Sequence, residues 1–84
     1  MTELFVSNLH YDLTEAECRS LFEAFGPVFK ARLVRDVHTG KSRGFAFIRM
    51  HDEDAERAIS AIDGTRVRDR RVFVKVSTAK EAGS

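Results

Sequence analysis

The stretch Arg43-Gly44-Phe45-Ala46-Phe47-Ile48-Arg49-Met50 constrains the fold of this chain more than any other. In a strand, side chains alternate between faces. Gly44, Ala46, Ile48 and Met50 then share one side and form an ordinary core face. Phe45, Phe47 and Arg49 share the other. A half-buried strand normally turns polar residues outward, yet here two phenylalanines alternate toward an arginine. Either a further layer covers that face, or it stands open to hold something flat and negatively charged.

Chain length limits the number of layers. Eighty-four residues suit one small domain, which buries roughly 60–65% of its unfolded surface and so affords two layers around one core. The rest of the sequence supplies those layers. Leu4 to Leu9 reads as a first strand, with Leu4 and Val6 on one face and Phe5 and Ser7 on the other. Thr14 is placed to cap a helix, with Glu17 three residues on to complete a capping box and Leu13 to staple onto Cys18. Cys18, Leu21, Phe22 and Phe25 fall at i, i+3, i+4 and i+7, one apolar stripe, and Gly26-Pro27 stops it. Val28 to Arg35 is a second strand, in which Lys30, Arg32 and Val34 alternate with Phe29, Ala31 and Leu33. A turn-rich loop over 36–42 makes a hairpin with the opening stretch. Asp52 is expected to cap a second helix with its stripe at Ala55, Ala58, Ile59 and Ile62, ended by Gly64. Val72, Val74 and Val76 face inward on a fourth strand, with Arg71, Phe73 and Lys75 outward.

The order β-α-β-β-α-β predicts an α+β, ferredoxin-like two-layer sandwich. Its four-stranded antiparallel sheet carries two helices on one face, since right-handed crossovers place both on the same side. No helix remains to cover the opposite face, where Phe5, Phe45, Phe47 and Phe73 point, and an exposed apolar patch of that kind marks an interaction site. Charge agrees with this. The helical stretches 12–25 and 51–63 hold nine of the 13 acids but only Arg19 and Arg57 of the 14 bases. The near-neutral total thus conceals an acidic back and a basic, aromatic front, a field that draws polyanions to the sheet.

The octamer at 43–50 resembles one of the two ribonucleoprotein motifs of the RNA recognition motif (RRM) family, and Leu4-Phe5-Val6-Ser7-Asn8-Leu9 resembles its hexamer partner. The likeness covers residues 4–77. Met50 departs from the commoner aromatic, but by parity it faces the core. Glu3 departs on the outer face, where some relatives carry a base. The resemblance implies a strand order 4-1-3-2, with Phe5 and Phe47 each stacking on a base, Phe45 packing between two sugars and Arg43 on the intervening phosphate. The implied ligand is single-stranded RNA, with single-stranded DNA as a competitor, because only unpaired bases can splay onto a sheet. Lys30, Arg32, Val34, Arg49 and Lys75 are expected to flank the stacks, and Ser77, Thr78 and Lys80 to add hydrogen bonds past the last strand.

Plainer roles fit other residues. Phe73 fills the sheet edge, residues 66–71 form a solvated turn, and Asn8 ties down its own loop. Cys18 is a buried small hydrophobe. The three histidines lack metal-ligand spacing, Asp52 to Glu56 is a helix-start charge cluster, and no nucleophile–base pair assembles. The expectation is therefore a binding module with no metal, cofactor or catalytic role. An RRM-shaped protein-interaction module, docking a partner on the acidic helical face, is the alternative; a small acylphosphatase-like enzyme would need a phosphate cradle that 7–10 does not offer. The domain is read as 1–78 with a polar tail at 79–84, fitting a free-standing protein or an excised domain equally. With apolar runs far short of a bilayer span, no basic leader and one cysteine, a monomer inside the cell, in cytoplasm or nucleus, is expected.

Overall fold

A computed structural model of the protein describes residues 1–77. In chain order these form β1 (Thr2–Ser7), α1 (Glu15–Glu23), β2 (Val28–Arg35), β3 (Ser42–Met50), α2 (Asp52–Ile62), a small hairpin of β4 (Arg66–Val67) and β5 (Arg70–Arg71), and β6 (Phe73–Val76). The expected α+β fold is the observed one. β1, β2, β3 and β6 make one antiparallel sheet in the order β2-β3-β1-β6, so the two motif strands lie side by side in its middle.

The helices begin differently. Ahead of α1 the Thr14 hydroxyl accepts from the Glu17 N–H at 3.1 Å and the Glu17 carboxylate accepts from the Thr14 N–H at 3.0 Å, the expected reciprocal box. α2 corrects the sequence reading. Its N-cap is His51, which makes no side-chain cap bond, and Asp52 is the first helical residue. Asp52 instead accepts from the Thr2 hydroxyl at 2.6 Å and lies 3.3 Å from the N-terminal ammonium. Its carboxylate is drawn to a charge-assisted partner and thereby ties the start of β1 to the start of α2.

Both stripes pack on the same sheet face. Cys18 and Phe22 of α1 and Ala55, Ala58 and Ile62 of α2 join Leu4, Val6, Ala46, Ile48, Met50 and Val74 in one core. Met50 is fully buried there, as its parity requires. Burial, reinforced by the Glu15 charge, pushes the Cys18 thiol up to about 11.

Two local departures alter the surface. A register shift between Val28 and Lys30 inserts one residue into β2. Val28 then takes the inward place and Phe29, expected to face the core, is 51% exposed, its ring edge-on to His51 at 4.8 Å. This is the usual effect of a bulge, which gives one strand an extra residue. The stretch 66–71, read as a plain turn, is a tight hairpin: Arg68 and Asp69 both take positive φ (52° and 65°) between β4 and β5, as two-residue hairpin turns require. An Arg68–Glu17 ion pair fastens that hairpin to α1. Among the described residues no helix is long and apolar enough to cross a membrane.

Candidate nucleic-acid interface

The face opposite the helices is an ordered grid whose rows follow from strand register. Across the middle row, Arg32 lies opposite Phe47, Phe47 opposite Phe5, and Phe5 opposite Lys75. One row toward the β1 N-terminus, Lys30 lies opposite Arg49 and Arg49 opposite Glu3. At the other end Ser7 lies opposite Phe73. The alternation seen in sequence therefore brings Phe5, Phe45, Phe47, Arg49, Lys30, Arg32 and Lys75 together on one surface.

The Phe5 ring neighbours the other two. Phe5 lies 5.4 Å from Phe47 and 5.8 Å from Phe45 between centroids, tilted by 48° and 33°. Each is half-buried by its neighbours, so the rings are held in place while one side faces solvent. Cations sit over them: Lys75 Nζ is 5.8 Å from the Phe5 centroid and Arg43 Cζ 6.0 Å from that of Phe45, within cation–π range. Lys30, Arg32, Arg43 and Lys75 are exposed and within 4 Å of no carboxylate among the described residues.

Two local devices aim this surface. Gly44 has φ +84°, and a Cβ there would lie 3.2 Å from the Leu9 carbonyl. Leu9 meanwhile donates its N–H to the Gly44 carbonyl at 2.9 Å, so the chain leaving β1 presses directly on β3 and any residue but glycine is strained there. In the β2–β3 connection, Asp36 accepts from the Thr39 and His38 N–H groups at 3.0 and 2.8 Å, which holds its carboxyl below the usual range.

Other expected site residues lie differently. Arg49 is engaged by Glu3 at 3.4 Å, and its buried Nε has no partner among the described residues. Val34 is half-buried beside a second register shift between Leu33 and Arg35. Ser77 is buried and its N–H is spent on the Glu3 carbonyl at 2.8 Å. Thr78 and Lys80 lie outside the described residues. Asn8 reaches farther than its own loop: its Nδ2 donates to the Arg71 carbonyl and its Oδ1 accepts from Arg70 Nη2, each at 2.6 Å. A groove of about 600 Å³ opens there beyond Phe45, with Tyr11, Arg70 and Phe73 on its walls. Sequence reasoning did not gather these residues, because the loop after β1 and the hairpin before β6 stand some 60 positions apart; the arginine run at 66–71 was the one visible sign.

A model of the RNA recognition motif matches residues 4–72. The chain belongs to the RRM family. Its likeness to individual RRM proteins is close. It is 42% identical over 83 residues to the protein Sex-lethal of Drosophila melanogaster, covering 98% of this chain and 23% of that protein. The chain thus spans less than a quarter of that relative. A crystal structure of an RNA binding protein, PG1, superposes with a TM-score of 0.88 at 35% identity, covering 92% of this chain and 94% of the other. A Sex-lethal protein/RNA complex gives 0.86 at 39% identity, covering 90% of this RRM and 46% of that chain. The RRM is a binding module rather than an enzyme.

Proposed function

We propose that this RRM binds single-stranded RNA by laying successive bases on its open sheet face. One observation carries the reading: Phe5, Phe45 and Phe47 form a contiguous cluster with centroids 5.4–5.8 Å from Phe5, solvent-facing and bordered by exposed cations. Phe5 and Phe47 each take a base, Phe45 packs against the sugars between them, and Arg43 meets the intervening phosphate. Stacking on an aromatic is worth about 1–3 kcal/mol per base whatever the base. Two stacks with a few phosphate contacts approach the roughly −8 kcal/mol of a micromolar complex. Lys30, Arg32 and Lys75 serve the backbone. Double-stranded RNA is disfavoured because its bases are already stacked on one another, whereas single-stranded DNA competes through the same rings.

Fluorescence anisotropy with a labelled single-stranded RNA, the same RNA in a duplex, and the matching DNA tests this. Micromolar binding to the single strand, weakened by Phe5→Ala and Phe47→Ala, is the expected result; equal affinity for the duplex would overturn it. A protein partner on the helical side is the second reading. The observation favouring it is a shallow apolar groove of about 580 Å³ between α1 and the hairpin, lined by Leu13, Leu21, Ala24 and Val67.

A further inference from the structure

The groove beyond Phe45 has the chemistry of a nucleotide site. At about 600 Å³ it lies within the roughly 300–1,000 Å³ of small-ligand sites. Two aromatic rings stand exposed in it, Tyr11 at 65% and Phe73 at 47%. Neither is loosely placed. Tyr11 stacks on His10 with centroids 4.6 Å apart and planes 20° from parallel, and His10 is itself anchored by accepting the Asp12 N–H at its Nδ1. Phe73 is fixed opposite Ser7 in the β1–β6 ladder.

The charged groups are arranged as well. Arg70 donates from Nη2 to Asn8 Oδ1 at 2.6 Å and from Nε to the Asn8 carbonyl at 3.4 Å. Asn8 takes φ +61°, a backbone state that asparagine tolerates better than most residues, and braces the assembly through its bond to Arg71. The guanidinium is thus oriented before any ligand arrives. Arg43, over the Phe45 ring, also lines the groove. Among the described residues no carboxylate lines the groove. Aromatic walls beside a guanidinium held in place by Asn8 complement a ring bearing a phosphate, and Phe45 joins the groove to the aromatic cluster.

We propose that this groove is an additional nucleotide subsite, in which one unpaired base stacks on Tyr11 or Phe73 while Arg70 holds its phosphate. It extends the bound strand beyond the two bases on Phe5 and Phe47, and in that sense rests on the function proposed above. The chemical class is a nucleotide of the same single strand, read by its π-face and charge.

Oligouridines of two to six nucleotides, titrated against wild type, a Tyr11→Ala/Phe73→Ala double variant and Phe47→Ala, provide the test. Both rings are exposed, and thermal melting verifies that the double variant is folded. The subsite predicts that wild-type affinity rises when the strand grows long enough to enter the groove. In the double variant that rise, of roughly 5- to 150-fold, disappears, while the shortest strands that bind keep wild-type affinity. Equal affinity of double variant and wild type at every length overturns the subsite, as does an equal loss at every length. If Phe47→Ala binds as wild type while the double variant loses only the rise with length, the stacking role of Phe47 fails and the groove stands. If no oligomer binds wild type, both fall.

Discussion

Glu3 and Arg49 face each other across β1 and β3 and close a 3.4 Å ion pair one row from the Phe5–Phe47 pair. The pair takes one cation of the sheet face out of circulation. It also leaves the buried Arg49 Nε without a partner among the described residues, at a cost of about 1–3 kcal/mol for such a donor. Glu3→Gln therefore frees Arg49 for phosphate. Because partly exposed pairs are worth about 0–1 kcal/mol, affinity for single-stranded RNA rises by up to about fivefold. The slope of log affinity against log salt steepens by close to 0.7, one further phosphate contact on a single strand. Anisotropy titrations across a salt series check both values; a loss of affinity instead would mean that the carboxylate itself meets the ligand.

Phe5→Ala and Phe47→Ala each remove one stacking surface. Each is expected to weaken RNA binding by about 1–3 kcal/mol while leaving a cooperative melt, since both rings lie outside the core cluster. Calorimetric titration paired with circular dichroism separates the two effects. A melt lowered strongly with affinity intact would assign the rings to folding instead.

The sheet face could be read so fully from sequence because strand periodicity is local. Phe5, Phe45 and Phe47 declare their side by parity, and both helical stripes declare theirs at i, i+3, i+4 and i+7. What escaped depends on an extra residue or on a distant partner. The β2 bulge shifts parity by one and turns Phe29 outward. Arg68 and Asp69 adopt left-handed turn geometry without a glycine to signal it. Asp52 is claimed by Thr2 and the chain's own amino group, fifty positions away. The Glu3–Arg49 pair and the Asn8–Arg70 brace likewise exist only once the register of β1 against its neighbours is known.

Gly44 tests how the β1 loop is locked onto β3. With φ +84° and the Leu9 carbonyl 3.2 Å from any added Cβ, Gly44→Ala forces a left-handed non-glycine residue, expected to cost about 1–3 kcal/mol. Urea unfolding measures that loss. The Leu9 amide, which donates to Gly44, should exchange with solvent faster in the variant; unchanged stability and exchange would show that the loop yields easily.

Glu17 gives the fold an acid-sensitive joint. Its carboxyl is held below the usual glutamate value, first by the Thr14 N–H and then by Arg68. A depressed folded-state value stabilises the fold above the unfolded-state value, and this contribution fades as pH falls through the folded-state value. Glu17→Gln is therefore less stable than wild type at pH 7, and the gap closes as pH drops below the ordinary glutamate range. Urea melts at a series of pH values follow that gap; a gap independent of pH would remove the carboxylate charge from the account.

Nuclear magnetic resonance of the aromatic rings during titration with a short single-stranded RNA tests the central claim most directly. Bases lying flat on the sheet move the Phe5 and Phe47 ring protons upfield in a saturable way, while the outer faces of α1 and α2 stay unchanged. Saturable binding that perturbs the helices and leaves both rings where they were would contradict it.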